Sequence, residues 1–297
     1  MKYLVTGGAG RLGRSVVAVL ASAGHHVVSV DVATVDGLPA EQVVADLGTD
    51  GVAGALTAEH APDGIVHLAA IPYPGLLPDA DTFAINTRLA FAVLEAAAAS
   101  GVGAVLLASS PTVMGYGAPS GWTPQYLPLD EQHPVAPWNG YAASKVAVEQ
   151  LGAMFARRDP DGPRIGSFRP CYVIAPEEWA GAPTQQGHTI LERLDDPALA
   201  AVALFNYVDA RDAGDFVLRW FEHAGEVPNG AVFFVGAPDS LLRGPVGPAL
   251  AEFVPATADA ARALDPDTAV FSSALAERLL GWRATRTWRT ELAEVLK

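Results

Sequence analysis

Lys2-Tyr-Leu-Val-Thr-Gly-Gly-Ala-Gly-Arg-Leu-Gly13 decides the fold. The apolar run Lys2–Thr6 reads as a strand that breaks into glycines, and Leu12–Ala23 continues with a helical pattern. Gly7, Gly10 and Gly13 are spaced three apart at this first strand-to-helix turn. Glycines there permit a tight turn, close approach of backbone N–H groups to a pyrophosphate, and close helix–strand contact. The start of the helix then faces the anion. Arg11 and Leu12 belong to the same turn and are expected to touch the same ligand.

Moving outward, short apolar runs alternate with helical stretches. His26–Asp31, Gln42–Ala45, Gly64–Leu68, Ala104–Ala108 and Arg164–Phe168 read as strands; Val52–Glu59, Asp81–Ser100 and Gly140–Arg157 read as helices. This alternation predicts a parallel sheet covered on both faces, an α/β fold of the Rossmann type, doubly wound. Asp31 ends the second strand, where a carboxylate takes the adenosine ribose hydroxyls and repels a 2′-phosphate, so NAD is favoured over NADP. Arg11 and Arg14 pull the other way, as groups able to reach a phosphate. Asp46 and Leu47, at the end of the third strand, are placed by the adenine.

A second stretch carries chemistry. The chain has three lysines against 16 arginines, and its one interior lysine lies in Gly140-Tyr-Ala-Ala-Ser-Lys-Val-Ala-Val-Glu-Gln-Leu151. Tyr141 and Lys145 share a helix face. An ammonium beside a phenol lowers its pKa and fits it to act as general base or acid on a substrate hydroxyl. Arginine would serve less well, its charge being spread over a rigid fork.

Composition bounds the rest. At 297 residues, with half of them apolar and 18% charged, the chain suits one large α/β domain or a domain with a smaller lobe. Its net charge of −14 argues against nucleic acid and anionic membrane surfaces as partners. Cys171 is the lone cysteine, and no Cys/His spacing of metal type exists, so neither a disulfide within the chain nor a metal is expected. No signal peptide or membrane span is read, and a cytoplasmic location follows by default. In the second half, Ala210–His223, Ser272–Leu280 and Thr290–Val295 read as helices and Ala231–Val235 as a strand, with Trp282 and Trp288 packing the closing helices down. Pro111–Pro137, with six prolines and the rings of Tyr116, Trp122 and Tyr126, reads as a long ordered loop.

Together these residues resemble the extended short-chain dehydrogenase/reductase family, the group that includes sugar-nucleotide epimerases and dehydratases. Val66-His-Leu-Ala-Ala70 resembles the family's fourth strand beside the cofactor, and Asn86 sits where the following helix places an Asn. Ala108-Ser-Ser-Pro-Thr-Val-Met-Gly115 resembles the fifth-strand motif, which implies a catalytic role for Ser110, with Ser109 second. Phe168-Arg-Pro-Cys-Tyr-Val173 and Tyr207-Val-Asp-Ala-Arg-Asp212 resemble two later landmarks. The resemblance implies an NAD-binding domain over residues 1–170, to which 206–235 return, and a smaller C-terminal substrate-binding lobe over 171–297. It implies catalysis by Ser110, Tyr141 and Lys145. Cofactor contacts are expected from Gly7, Gly10, Arg11, Leu12, Gly13, Asp31, Asp46, Leu47, Leu68, Ala69, Ala70, Asn86, Tyr141 and Lys145. Substrate contacts are expected from Ser109, Ser110, Tyr141 and Arg169. A homodimer through the long helices is a further expectation.

One departure bears on the reaction. The 36 residues between Pro170 and Tyr207 hold five acids and one arginine, Arg193. That is a poor setting for a nucleotide diphosphate. Arg169 and Arg211 border the segment, either as anion ligands or as partners of Asp209, Asp212 or Asp215. The expected activity is therefore an NAD(P)-dependent dehydrogenase or reductase acting on a small, sugar-like hydroxylated molecule. Ser109–Tyr116 also resembles, locally, uronate dehydrogenases. The alternative is a sugar-nucleotide epimerase or dehydratase in which NAD is reduced and reoxidised within one turnover. The complete Ser110, Tyr141 and Lys145 set disfavours a non-catalytic NAD-binding regulator.

Overall fold

The computed structural model describes residues 1–293. In chain order the first half runs β1 (Lys2–Thr6), α1 (Arg11–Ser22), β2 (His26–Asp31), β3 (Glu41–Val44), α2 (Val52–His60), β4 (Gly64–His67), α3 (Asp79–Ser100), β5 (Ala104–Ala108), α4 (Gly140–Arg158) and β6 (Arg164–Pro170). Then follow β7 (Val173–Ile174), α5 (Pro176–Trp179), α6 (Ile190–Asp195), α7 (Ala198–Ala201), β8 (Val208–Asp209), α8 (Ala210–His223) and β9 (Ala231–Val235). The described part closes with α9 (Val246–Phe253), α10 (Ala258–Ala261), α11 (Ala274–Leu280) and α12 (Trp288–Glu291). The helix expected over Thr290–Val295 is shorter and starts earlier, as α12 ends at Glu291 and Leu292–Ala293 form a turn, while residues 294 and 295 lie outside the described residues.

Seven strands form one parallel sheet in the order β3-β2-β1-β4-β5-β6-β9. Its two faces can be read from strand alternation, since successive side chains point to opposite sides. Tyr3, Val5, Val66 and Leu106 pack with Val16, Val17 and Leu20 of α1 and Phe216 and Trp220 of α8. Leu4, Ile65, Val105 and Leu107 pack instead with Ala53 of α2, Leu89 and Val93 of α3, and Val148 and Phe155 of α4. With both faces covered, the strands have no polar side to show, which is why they appear as unbroken apolar runs. Helix α3 is long and apolar enough to cross a membrane, yet it lies in this layer with Leu89, Ala90, Val93, Leu94 and Ala97 buried.

Beyond β6 the chain makes a two-stranded parallel pair, β7 with β8, before β9 rejoins the main sheet beside β6. The two closing tryptophans pack as expected and are satisfied: Trp282 Nε1 donates to the Asp212 carbonyl (3.1 Å) and Trp288 Nε1 to the Ser240 carbonyl (3.0 Å). Strand order reverses between β1 and β4. Ligands of such sheets bind in the crevice outside the carboxyl ends of the strands at that switch point.

Candidate active site

At the switch point lies a cavity of about 790 Å³. One end is walled by the turn after β1. Gly7 has φ +72°, and a Cβ there would come 2.7 Å from the Ala69 nitrogen. A Cβ on Gly13 would meet the Gly8 Cα at 2.7 Å. No side chain caps α1 at Gly10, so its first N–H groups are left for an anion. These features fit a dinucleotide pyrophosphate.

Asp31 lines the same cavity at the end of β2. The Ala9 N–H donates to its Oδ2 (3.0 Å) and the Val32 N–H to its Oδ1 (2.7 Å), which fixes a carboxylate where the adenosine ribose is expected. Leu12, Asp46, Leu47, Leu68, Ala69 and Ala70 also line the cavity. Arg11 is there too, but its guanidinium pairs with Glu178 and donates to the Val173 carbonyl (3.1 Å). Arg14 pairs with Glu177. Both arginines are thus committed to the segment after β7 rather than to a 2′-phosphate.

Asn86 departs from expectation. It is buried and does not line the cavity. Its Oδ1 accepts the Ile71 N–H (2.7 Å) and its Nδ2 donates to Ser144 Oγ (3.0 Å). It holds the cavity wall after β4 against α4, and it acts on a ligand only through that wall.

The other end of the cavity carries Ser110, Tyr141 and Lys145. Ser110 ends the extended stretch after β5 and caps a 3₁₀ turn over Pro111–Met114. Tyr141 stands at the start of α4, where Asn139 caps the helix by accepting the Ala142 N–H (2.8 Å). A Cβ on Gly140 would lie 2.6 Å from Asp79 Cα, so only glycine lets α4 begin this close to α3. Lys145 Nζ donates to the Ala108 carbonyl (2.9 Å) and sits 5.7 Å from the Tyr141 ring centre.

Burial dominates the titration of this pair. It pushes Tyr141 up to about 12, while the neighbouring Ser110 hydroxyl pulls it down. It pushes Lys145 down to about 8, against the field of Glu149. The lowering of the tyrosine pKa expected from the lysine is not seen in the chain itself, where burial sets the direction and Ser110 alone opposes it. His67, beside Thr6 (Nδ1 to Oγ1, 2.8 Å), is pushed down to about 3 by burial and then by Lys145, so it stays neutral and packs.

Two expected substrate ligands are corrected. Arg169 is 3% exposed and does not line the cavity. It makes a two-pronged pair with Glu149 (Nε to Oε1 and Nη2 to Oε2, both 2.8 Å), because Glu149 lies on the same face of α4 as Lys145 and meets β6 there. Ser109 reaches the cavity wall, but its hydroxyl donates backward to Glu149 Oε1 (2.5 Å). Arg211 likewise pairs with Asp209 and with Glu291 (2.5 Å each).

The fold brings in residues for which no site role was read in the sequence. Tyr116 lines the cavity, held edge-on by Trp122 and Phe271, so the proline-rich loop both pins itself and walls the site. Tyr172, Gln186 and Asn206 line it from the segment between β6 and β8. Asn206 Oδ1 accepts the Tyr172 N–H (2.8 Å). Asn206 directly precedes the Tyr207 landmark, which is the one sequence signal that could have found it.

A crevice that joins an anion-ready glycine turn to a buried tyrosine–lysine pair defines a nicotinamide-dependent Rossmann enzyme. The chain belongs to the NAD dependent epimerase/dehydratase family, whose model matches residues 3–236. As a member of an NAD-dependent family, it has NAD as its cofactor. The UDP-glucose 4-epimerase of Corynebacterium glutamicum is 26% identical over 97% of this chain and 92% of that one. That of Azospirillum brasilense is 31% identical over 50% of this chain, which there spans only 43% of the relative. A short-chain dehydrogenase/reductase superfamily protein from Agrobacterium tumefaciens, solved with bound NAD, shares the fold at TM-score 0.71 and 24% identity, over 99% of this chain and 95% of that one.

Proposed function

We propose that this enzyme is a net NAD-dependent oxidoreductase acting on a small hydroxylated molecule. The observation that supports it is the state of the arginines in and beside the segment 171–206. Arg11, Arg169 and Arg211 are each paired with carboxylates, and the paired acids include Glu178, Glu149 and Asp209. Arg193, the one arginine inside that segment, has no carboxylate partner among the described residues. A diphosphate brings two negative charges and needs more than this.

Bound NAD supplies the hydride acceptor or donor. Gly7, Gly10, Gly13 and Asp31 would hold it. In oxidation the carbinol C–H bond would give up its hydride to NAD while the hydroxyl proton passes to Tyr141 in its tyrosinate form, leaving a carbonyl. Ser110 hydrogen-bonds the same substrate oxygen and orients it. Lys145, positive below about pH 8, favours the tyrosinate during the transfer. Tyr116 and Tyr172 line the same cavity.

The second reading is a sugar-nucleotide 4-epimerase, favoured by the relatives over nearly the whole chain. The two separate on balance: an oxidoreductase forms NADH with each product molecule, whereas an epimerase forms none. Purified protein with added NAD is offered free polyols, sugars and hydroxy acids, with absorbance followed at 340 nm. UDP-glucose and UDP-galactose are offered in parallel with product analysis. Net NADH from a free substrate is expected. Catalytic interconversion of the UDP-sugars with no net NADH would overturn the proposal.

Pairing of two chains through α3 and α4 belongs to the same reading. Phe83 and Phe91 on α3 and Met154 on α4 are exposed, and Phe91 packs edge-on to Phe155. Sedimentation equilibrium that returns a monomer at micromolar concentration would remove it.

A further inference from the structure

Arg193, on α6, is the anomaly of the segment between β6 and β8. It is 1% exposed, among the largest fully buried side chains. None of the ion pairs among the described residues includes it, although Arg11, Arg169, Arg211, Arg286 and Arg289 all have carboxylates. The carboxylate whose field it feels is Glu178, already engaged by Arg11 and by the Ala175 N–H (2.8 Å). Its guanidinium stacks on the Tyr172 ring, 4.4 Å from the ring centre. Its Nη1 donates to Gln186 Oε1 (2.6 Å), and its Nε is buried with no partner. The Tyr172 hydroxyl is buried without a partner as well.

A buried cation without a counter-ion is costly, and a space-filling role there would be better served by an apolar side chain. The neighbours show where a counter-ion would enter. Tyr172 and Gln186 both line the cavity that holds Ser110 and Tyr141. Gln186 is itself exposed, on a loop between Gly181 and Gly187, each with positive φ. Its amide oxygen occupies the position that one oxygen of an anion would take, and a rotation of one exposed side chain frees it.

We propose that Arg193, with Tyr172 and Gln186, forms a subsite for a carboxylate of the substrate, which makes the substrate a hydroxy acid. The inference rests on the net-oxidoreductase reading above. A carboxylate, rather than a diphosphate, follows from the charge count. One guanidinium without a carboxylate lies behind Tyr172 and Gln186, which line the cavity and cover it, and the segment around it carries Glu177, Glu178, Glu192, Asp195 and Asp196. A single negative charge matches one guanidinium fork, while a second phosphate would face acids.

The test uses NAD-loaded protein and four probes: glucuronate and galacturonate against glucose and galactose, titrated calorimetrically and assayed for NADH. Expected for wild type is tighter binding of the acids than of the neutral sugars. In Arg193→Met the acids lose about 100-fold in affinity, the scale of a charged hydrogen bond, while the neutral sugars change less than about threefold. Arg193→Lys keeps the charge without the fork and is expected to lose about 10-fold for the acids, which keeps the question open to refutation if the Met variant does not fold. Equal losses for acids and neutral sugars, with a lowered melting temperature and weakened NAD binding, would mark Arg193 as structural and overturn the subsite. So would wild type that does not distinguish acid from neutral. UDP that binds tighter than the acids and is lost in Arg193→Met would replace the carboxylate with a phosphate. NADH formed from neutral substrates alone would sink the subsite and leave the oxidoreductase reading standing.

Discussion

Replacing Lys145 by Met measures what the site gives up in stability to keep a charge beside Tyr141. The ammonium is 5% exposed, and burial lowers its pKa from 10.5 to about 8, with Glu149 acting in the opposite sense. At about 1.36 kcal/mol per pKa unit, the fall corresponds to about 3 kcal/mol. The sign follows from proton binding. Between about pH 8 and 10.5 the unfolded chain holds this proton and the folded chain does not, so the stability contributed by Lys145 rises with pH across that window. Below about pH 8 the full penalty is present. Met keeps the stem and removes the charge, but forfeits the bond to the Ala108 carbonyl (2.9 Å), worth about 1 kcal/mol. The variant is therefore expected to be about 2 kcal/mol more stable than wild type at pH 6.5 and about 1 kcal/mol less stable near pH 10.5, with turnover lost throughout. Urea denaturation of both proteins at a series of pH values reads the difference directly, since groups elsewhere cancel. A variant less stable than wild type at pH 6.5, or a difference that does not change with pH, would refute the reasoning.

Three other perturbations follow from the site. Glu149→Leu leaves Arg169 buried and alone, and is expected to cost about 3–5 kcal/mol, whereas Glu149→Leu with Arg169→Met should recover most of it; a double variant as unstable as the sum of the singles contradicts a closed pair. Asp31→Ala removes the carboxylate that repels a 2′-phosphate and is expected to lower the NAD-over-NADP preference by about 10- to 100-fold. Unchanged discrimination in steady-state kinetics with both cofactors would exclude Asp31 from that role. Tyr141→Phe is expected to lose about 10²- to 10⁴-fold in kcat with an unchanged melting temperature, and retained turnover would remove Tyr141 as the proton carrier.

The first half of the fold was legible because its signals are local. A strand buried on both faces must be a continuous apolar run, as in Ala104–Ala108, and the turn at Gly7–Gly13 cannot be made by other residues without collision. The second half was less legible because its elements are short. The paired strands β7 and β8 have two residues each, too few to leave a period in sequence. Arg169 was misread because its partner is 20 residues upstream on another element. The clue was present all the same, since Glu149 follows Lys145 by four and so shares the helix face that meets the sheet. Tyr116 and Tyr172 lie in stretches the sequence marked, but no site role was read for them, and with Asn206 they reach the cavity only through long-range packing. Arg193 was visible as the lone arginine of an acidic segment, but its lack of a partner is a property of the folded chain.

Net transfer of hydride, rather than its return to the same substrate, is the central claim. The most direct measurement is the nicotinamide content of the purified protein before and after gel filtration, resolved into oxidised and reduced NAD and NADP. Expected is NAD that falls well below one per chain on filtration, with turnover restored only by added NAD. Nicotinamide that stays near one per chain, with turnover independent of added NAD, would contradict the claim and point to a cofactor recycled within each catalytic cycle.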